Sequence, residues 1–105
     1  MIAKTPSPPY YAVIFTSVRS DVDNGYQHTD EKMFELATLQ DGFLGVETVA
    51  GIAVSYWKDL ESIKKWKENT EHSEAQKRGK EEWYKTYKMR ICKVERDYEF
   101  NAPLQ

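Results

Sequence analysis

The sequence predicts an α+β domain of order β-α-β-β-α-β, and three observations predict it. Apolar side chains recur at helical spacing from Tyr26 to Gln40 and again from Ser73 to Tyr87. Stretches rich in β-branched and aromatic residues lie around them, at Tyr10–Val18, Phe43–Val49, Ile52–Trp57 and Met89–Phe100. The middle pair is joined by Val49-Ala50-Gly51, a connection so short that it implies an antiparallel hairpin around Gly51.

Residues 1–9 hold three of the four prolines and read as an extended lead-in. The first strand follows, and the polar run Arg19 to Gly25 makes a loop. In the first helix Tyr26, Thr29, Met33, Leu36, Ala37 and Gln40 share a face, Asp30 and Glu31 sit in the early turns, and Gly42 supplies the stop. Asp59 is placed to cap a short helix with Leu60, Ile63 and Trp66 on one side. Asn69-Thr70-Glu71 breaks that pattern, so the second helix comes in two pieces. Its longer piece is expected to start at Ser73, which with Gln76 has the spacing of a capping box. His72, Ala75, Gln76, Gly79 and Trp83 line one face of it. Gly79 in a helix interior costs about 1 kcal/mol relative to alanine, which a close backbone approach or a ligand against that face would rationalise.

In the last strand Arg90, Cys92, Val94, Arg96, Tyr98 and Phe100 share one face, while the other turns from apolar to charged halfway. The strand is therefore expected to leave the core midway, with Tyr98 and Phe100 covered by another surface. The whole order is ferredoxin-like: a four-stranded antiparallel sheet with helices on one face. Its other face needs cover, and pairing two sheets in a homodimer supplies it. Domain organisation is a lead-in at 1–9, one domain at 10–100 and a tail at 101–105.

Composition narrows the function. At 105 residues there is room for one domain, which buries a limited fraction of its surface and gains from self-association. Fifteen basic and 17 acidic residues are interspersed, and the Lys64–Lys67 run is flanked by Glu61 and Glu68, so no nucleic-acid partner is expected. Cys92 is the single cysteine, which excludes an internal disulfide and a cysteine-built zinc site. There is no long apolar run for a membrane and no apolar leader core, so the default expectation is cytoplasmic.

Several local strings carry a resemblance. Asp41-Gly42-Phe43-Leu44-Gly45 joins the first helix to the second strand, and Val54-Ser55-Tyr56-Trp57 ends the third. Trp66 is followed by His72, Ala75-Gln76, Gly79 and Trp83-Tyr84, and the end reads Val94-Glu95-Arg96-Asp97-Tyr98. In this order, over about Tyr10 to Phe100, they resemble the antibiotic biosynthesis monooxygenase domain family. The resemblance implies a dimeric α+β barrel with a pocket between sheet and helices in each subunit. Some members oxidise phenolic polycyclic compounds with molecular oxygen and neither metal nor flavin; others bind and degrade haem. In the haem-degrading members a tryptophan is followed ten positions later by a haem-ligating histidine, and an asparagine serves on the first strand. Trp66 matches the tryptophan. The position ten later is Gln76, a poor ligand for haem iron, and the first strand has Phe15, Thr16 and Ser17. No cofactor is therefore expected, with haem disfavoured by Gln76, and no metal site.

Each candidate has a functional and a structural reading. His72 is a general base or polariser near neutral pH, or a histidine at a helix start bonded to a carbonyl or carboxylate. His28 lies in a polar stretch and carries little. Trp66 repeats with Leu60 and Ile63 as core, or walls a pocket; Trp57 reads as core. Trp83, beside Gln76 and Gly79, suits a pocket for a flat aromatic ligand as well as it suits a core. Gln76 is a pocket residue or the return arm of its capping box. Arg90 and Arg96 bind an anion or pair across the dimer, and Cys92 reads as an inert thiol. The favoured function is a cofactor-independent monooxygenase acting on a small aromatic or phenolic compound, with His72 catalytic and Trp66, Gln76, Gly79 and Trp83 around the ligand. The alternatives are a non-catalytic small-ligand-binding or stress-related dimer, and a haem-degrading protein.

Overall fold

The computed structural model describes residues 1–104. The order is β1 (Tyr10–Arg19), α1 (Tyr26–Thr38), β2 (Phe43–Val49), β3 (Ile52–Trp57), α2 (Leu60–Glu68), α3 (Thr70–Arg78), a π-helical turn (Gly79–Trp83) and β4 (Tyr84–Val94). The four strands form one antiparallel sheet in the order β2-β3-β1-β4, a ferredoxin-like topology. Glutamine 105, the last residue of the expected tail, lies outside the described residues.

Register decides what each sheet face does. Phe15 pairs with Ala53 on one side and Met89 on the other; Val13 pairs with Ser55 and Ile91. Strand side chains alternate, so these residues share the face that the helices cover. Ile14, opposite Val54 and Arg90, belongs to the other face. On the helix side Val13, Trp57 and Ile63 form the core, with Tyr11, Phe43 and Trp66 packed on them. The helices pack so because α2 is amphipathic and begins where expected, the Asp59 carboxylate accepting from the Ser62 N–H at 2.8 Å.

The β2–β3 hairpin turns at Ala50-Gly51, with Gly51 at φ +83°. Gly42 is more constrained. It has φ +85°, and a Cβ there would lie 2.1 Å from the Oγ of buried Ser62. Gly42→Ala is expected to lower stability by about 2–4 kcal/mol through backbone strain and overpacking. Urea unfolding would check this, and a loss within about 0.5 kcal/mol of wild type would contradict it.

The second half differs from expectation in two places. The piece expected at Ser73 starts at Thr70, because the Asn69 side chain accepts from the His72 N–H at 3.1 Å and caps it there. Ser73 is thus already inside the helix, its N–H bonded to the Asn69 carbonyl and its hydroxyl donating to the Lys67 carbonyl. Gln76 is no capping arm. The helix also ends earlier than Tyr87: it widens into the π turn at Gly79 and stops at Trp83, and the last strand runs from Tyr84 to Val94 rather than from Met89 to Phe100. Tyr84-Lys85-Thr86-Tyr87 pairs with the end of β1, and those backbone bonds outweigh another helical turn.

Candidate functional site

Between the helix-side sheet face and the helices lies a cavity of about 400 Å³. Its floor is Val13, Phe15, Ala53, Ser55, Met89 and Ile91; α1 contributes Tyr26, Thr29, Asp30 and Met33; α2 and α3 contribute Ile63, Trp66, Lys67, His72, Ala75 and Gln76. Trp83, Tyr84 and Tyr87 complete the wall. The sequence candidates Trp66, His72, Gln76 and Trp83 are therefore brought together. Gly79 is not on the wall. It is buried against Tyr84, whose ring would sit 3.0 Å from an added Cβ. A close approach is what the glycine accommodates, and it lets the π turn seat Tyr84 in the wall.

His72 is held by two contacts. Its ring stacks on Trp66, with centroids 4.1 Å apart and 13° between planes, and Trp66 stacks in turn on the fully buried Trp57. Its Nδ1 lies 2.9 Å from the Trp66 carbonyl oxygen. A carbonyl only accepts, so Nδ1 carries the proton and Nε2 keeps the lone pair in the neutral ring. Burial pushes the imidazole pKa below its ordinary value, outweighing the opposing pull of the carbonyl bond. The ring is thus a neutral base near pH 7. The helix start at Asn69, which fixes His72, could have been read from its Asn-Thr-Glu-His run: an N-cap residue bonds the N–H two or three positions on.

Trp83 is buried and anchored. Its indole N–H donates to the Asn24 carbonyl at 2.9 Å, the Arg78 guanidinium lies over its ring, and Tyr26 packs on it edge-on. One part of the ring faces the cavity; the rest fixes the loop before α1.

A second polar group was not foreseen. Tyr26, Asp30 and Tyr84 meet at one end of the cavity, the two phenol oxygens 3.4 Å apart. Burial and the Tyr26 contact push the Tyr84 phenol well above its ordinary range. Partial burial likewise raises the Asp30 carboxyl, against the lowering influence of Arg19. Arg19 itself does not line the cavity: its guanidinium lies 3.3 Å from the Tyr26 ring centroid, and it donates to the Trp83 and Val22 carbonyls and pairs with Asp23. Among the described residues no group of three or more His, Cys, Asp or Glu is placed to hold a metal ion. No helix among them is long and apolar enough to cross a membrane.

A ferredoxin-like α+β domain with a cavity between sheet and helices is the class these features define. The fold is shared with an antibiotic biosynthesis monooxygenase-like protein of Nitrosomonas europaea, at TM-score 0.63 and 14% identity over 87% of this chain and 94% of that one. It is shared too with Rv0793 of Mycobacterium tuberculosis, at TM-score 0.64 and 10% identity over 93% and 97%. At such identities the likeness is one of fold. No family model matches the sequence. The chain belongs to the family of the uncharacterized protein YqjZ of Bacillus subtilis, with 50% identity over 100 residues that span 90% of this chain and 88% of that protein.

Proposed function

We propose that the protein is a cofactor-independent monooxygenase for a small aromatic or phenolic compound. The observation that carries this reading is His72: a neutral imidazole, anchored through Nδ1 and with no bond to Nε2 among the described residues, on the wall of a mainly apolar cavity rich in aromatic rings. Such a base takes the proton of an acidic phenol or of a carbon activated by one. The resulting anion reduces oxygen directly. The substrate supplies the electrons, one oxygen atom enters the product and the other leaves as water. Ser55, Gln76 and Tyr87 offer hydrogen bonds along the wall for the developing anion. Haem has little support, because the position that would ligate iron is Gln76, whose amide is a poor ligand. The test is oxygen uptake by the purified protein with a panel of hydroxylated bi- and tricyclic aromatics. Turnover that His72→Gln leaves unchanged would overturn the assignment.

A non-catalytic ligand-binding protein is the second reading. It is favoured by the tight stacking and backbone bond of His72, which satisfy a structural histidine equally well. Saturable binding of an aromatic compound with no oxygen uptake would select it.

Either reading includes a homodimer built on the outer sheet face. The radius of gyration of 15.0 Å exceeds the roughly 13 Å of a compact domain this long, and residues after Val94 extend from the sheet with Tyr98 and Phe100 99% and 85% exposed. Ile14 and Val54, direct neighbours on the outer face, would lie in the interface. Light scattering is expected to give twice the chain mass. Ile14→Asp with Val54→Asp should yield a monomer, since each carboxylate would be buried unpaired at a cost of several kcal/mol. A wild-type monomer would exclude this arrangement.

A further inference from the structure

The cavity does not end at Asp30. A second hollow of about 320 Å³ runs along the β2–β3 hairpin past Val49, Gly51 and Ile52, and it shares Phe15, Tyr26, Asp30, Ala53 and Tyr84 with the first. The shared residues form a neck between the two: three aromatic rings and one carboxylate. Phe15 packs edge-on against Tyr84 at 5.4 Å, and Tyr84 against Tyr26 at 5.9 Å, so the rings brace one another. His72, Gln76 and Lys67 line the first hollow but not the second. The cleft therefore has a base and a cation in its first hollow and an acid in the neck that leads to the second. Asp30 is the one acid in either lining, Lys67 the one lysine or arginine. The nearby Arg19 lines neither hollow: its N–H groups go to two backbone carbonyls and Asp23, and its charge reaches the neck only through its pull on Asp30.

From this arrangement we infer that Asp30 is the specificity-determining residue of the cleft, selecting phenols that carry a hydrogen-bond-donating or cationic substituent and excluding those that carry a carboxylate. The inference rests on the proposed reading of the cavity as an aromatic-compound site and names its substrate class. A phenol ring enters the His72 end, and its substituent reaches the neck. There an ammonium gains both the carboxylate and the Tyr84 ring, the Tyr26 ring already carrying the Arg19 guanidinium. A hydroxyl gains the hydrogen bond alone. A carboxylate meets like charge in a partly desolvated site and is rejected. Length favours such ligands as well, since two joined hollows hold more than one ring.

Three probes of one shape separate the charges: tyramine, tyrosol and 4-hydroxyphenylacetate. Quenching of tryptophan fluorescence gives their affinities for the wild type, Asp30→Asn and His72→Gln. Asp30 lines the hollows but remains solvent-exposed and makes no side-chain hydrogen bond among the described residues, so its amide variant is expected to keep the fold, which circular dichroism would verify. The wild type is expected to bind tyramine at least about tenfold more tightly than 4-hydroxyphenylacetate, with tyrosol between them. Asp30→Asn should bring all three within about threefold. Equal wild-type affinities, or a preference that Asp30→Asn retains, would overturn the inference while leaving the aromatic cavity standing. No binding of any probe would remove both. Charge selection without oxygen uptake would keep the inference and withdraw the catalytic reading, leaving a ligand-binding protein.

Discussion

Trp57→Ala is expected to cost about 3–5 kcal/mol of stability. Trp57 is the one large side chain that is wholly buried among the described residues, with relative exposure 0%. It ends β3, where its indole N–H donates to the Ser55 hydroxyl at 2.9 Å, and packs edge-on against Phe43 of β2. It also stacks on the Trp66 ring, at 6.1 Å, and shares the core with Val13 and Ile63. Truncation would leave a void where β2, β3 and α2 meet, and the neighbours can close it only in part. A domain of this length has roughly 5–15 kcal/mol in total, so the variant forfeits about a fifth of it at the least. The effect should reach the cavity, because Trp66 would lose its backing and His72 is stacked on Trp66. Urea unfolding with near-ultraviolet circular dichroism would measure both consequences. Trp57→Phe, which keeps most of the buried area, should lose less than half as much. A cost below about 1 kcal/mol for the alanine variant would mean that the stack contributes little.

That tryptophan was legible in the sequence, and the reason is local. Trp57 closes an apolar and aromatic strand two residues before the Asp59 cap, so burial under the following helix is the simplest outcome. The hairpin was legible likewise, since its turn leaves no other pairing. Strand register then fixed which residues floor the cavity. The half after Asn69 was harder. Ser73 and Gln76 match a capping box, but Asn69 offers an equally good cap earlier and saves almost a full turn of helix. The π turn is invisible to periodicity, because it shifts the helical phase only over its last few residues. A signal was present nonetheless: Tyr84 to Tyr87 is strand-like in composition, and Gly79 weakens the helix ahead of it.

The cavity was half legible for a related reason. Trp66, His72, Gln76 and Trp83 follow one another along one stretch of chain, where a helical face can be counted. The neck is assembled from β1, α1, β3 and the start of β4, and no spacing in the sequence joins Asp30 to Tyr84. Tyr26 could be placed on a buried helix face, whereas its meeting with Tyr84 depends on where β4 begins. Local pattern thus reveals the base, and only the packed sheet reveals what stands opposite it.

His72→Gln is expected to lower kcat by about 10²–10³-fold on any phenolic substrate the protein turns over, with KM little changed, since general-base catalysis has that magnitude and a glutamine retains polar bulk. The wild-type rate should carry an acid limb, falling as pH drops below the ordinary histidine range, because burial holds the imidazole below its usual pKa and keeps it neutral until then. The variant should lack that limb. Stability provides an independent readout of the same group. With the folded pKa below the unfolded value near 6.5, the unfolded chain binds more protons between the two. This histidine's contribution is therefore fully present above the unfolded pKa and is lost as pH falls through the folded one. Urea midpoints for the wild type should decline in that window relative to His72→Gln, whose uncharged amide leaves the contribution flat. A structural histidine would show the stability difference without the kinetic limb; a catalytic one shows both. The pair of profiles decides between the enzyme and the binding protein even if the natural substrate is never found, because a slow surrogate phenol suffices to record the limb.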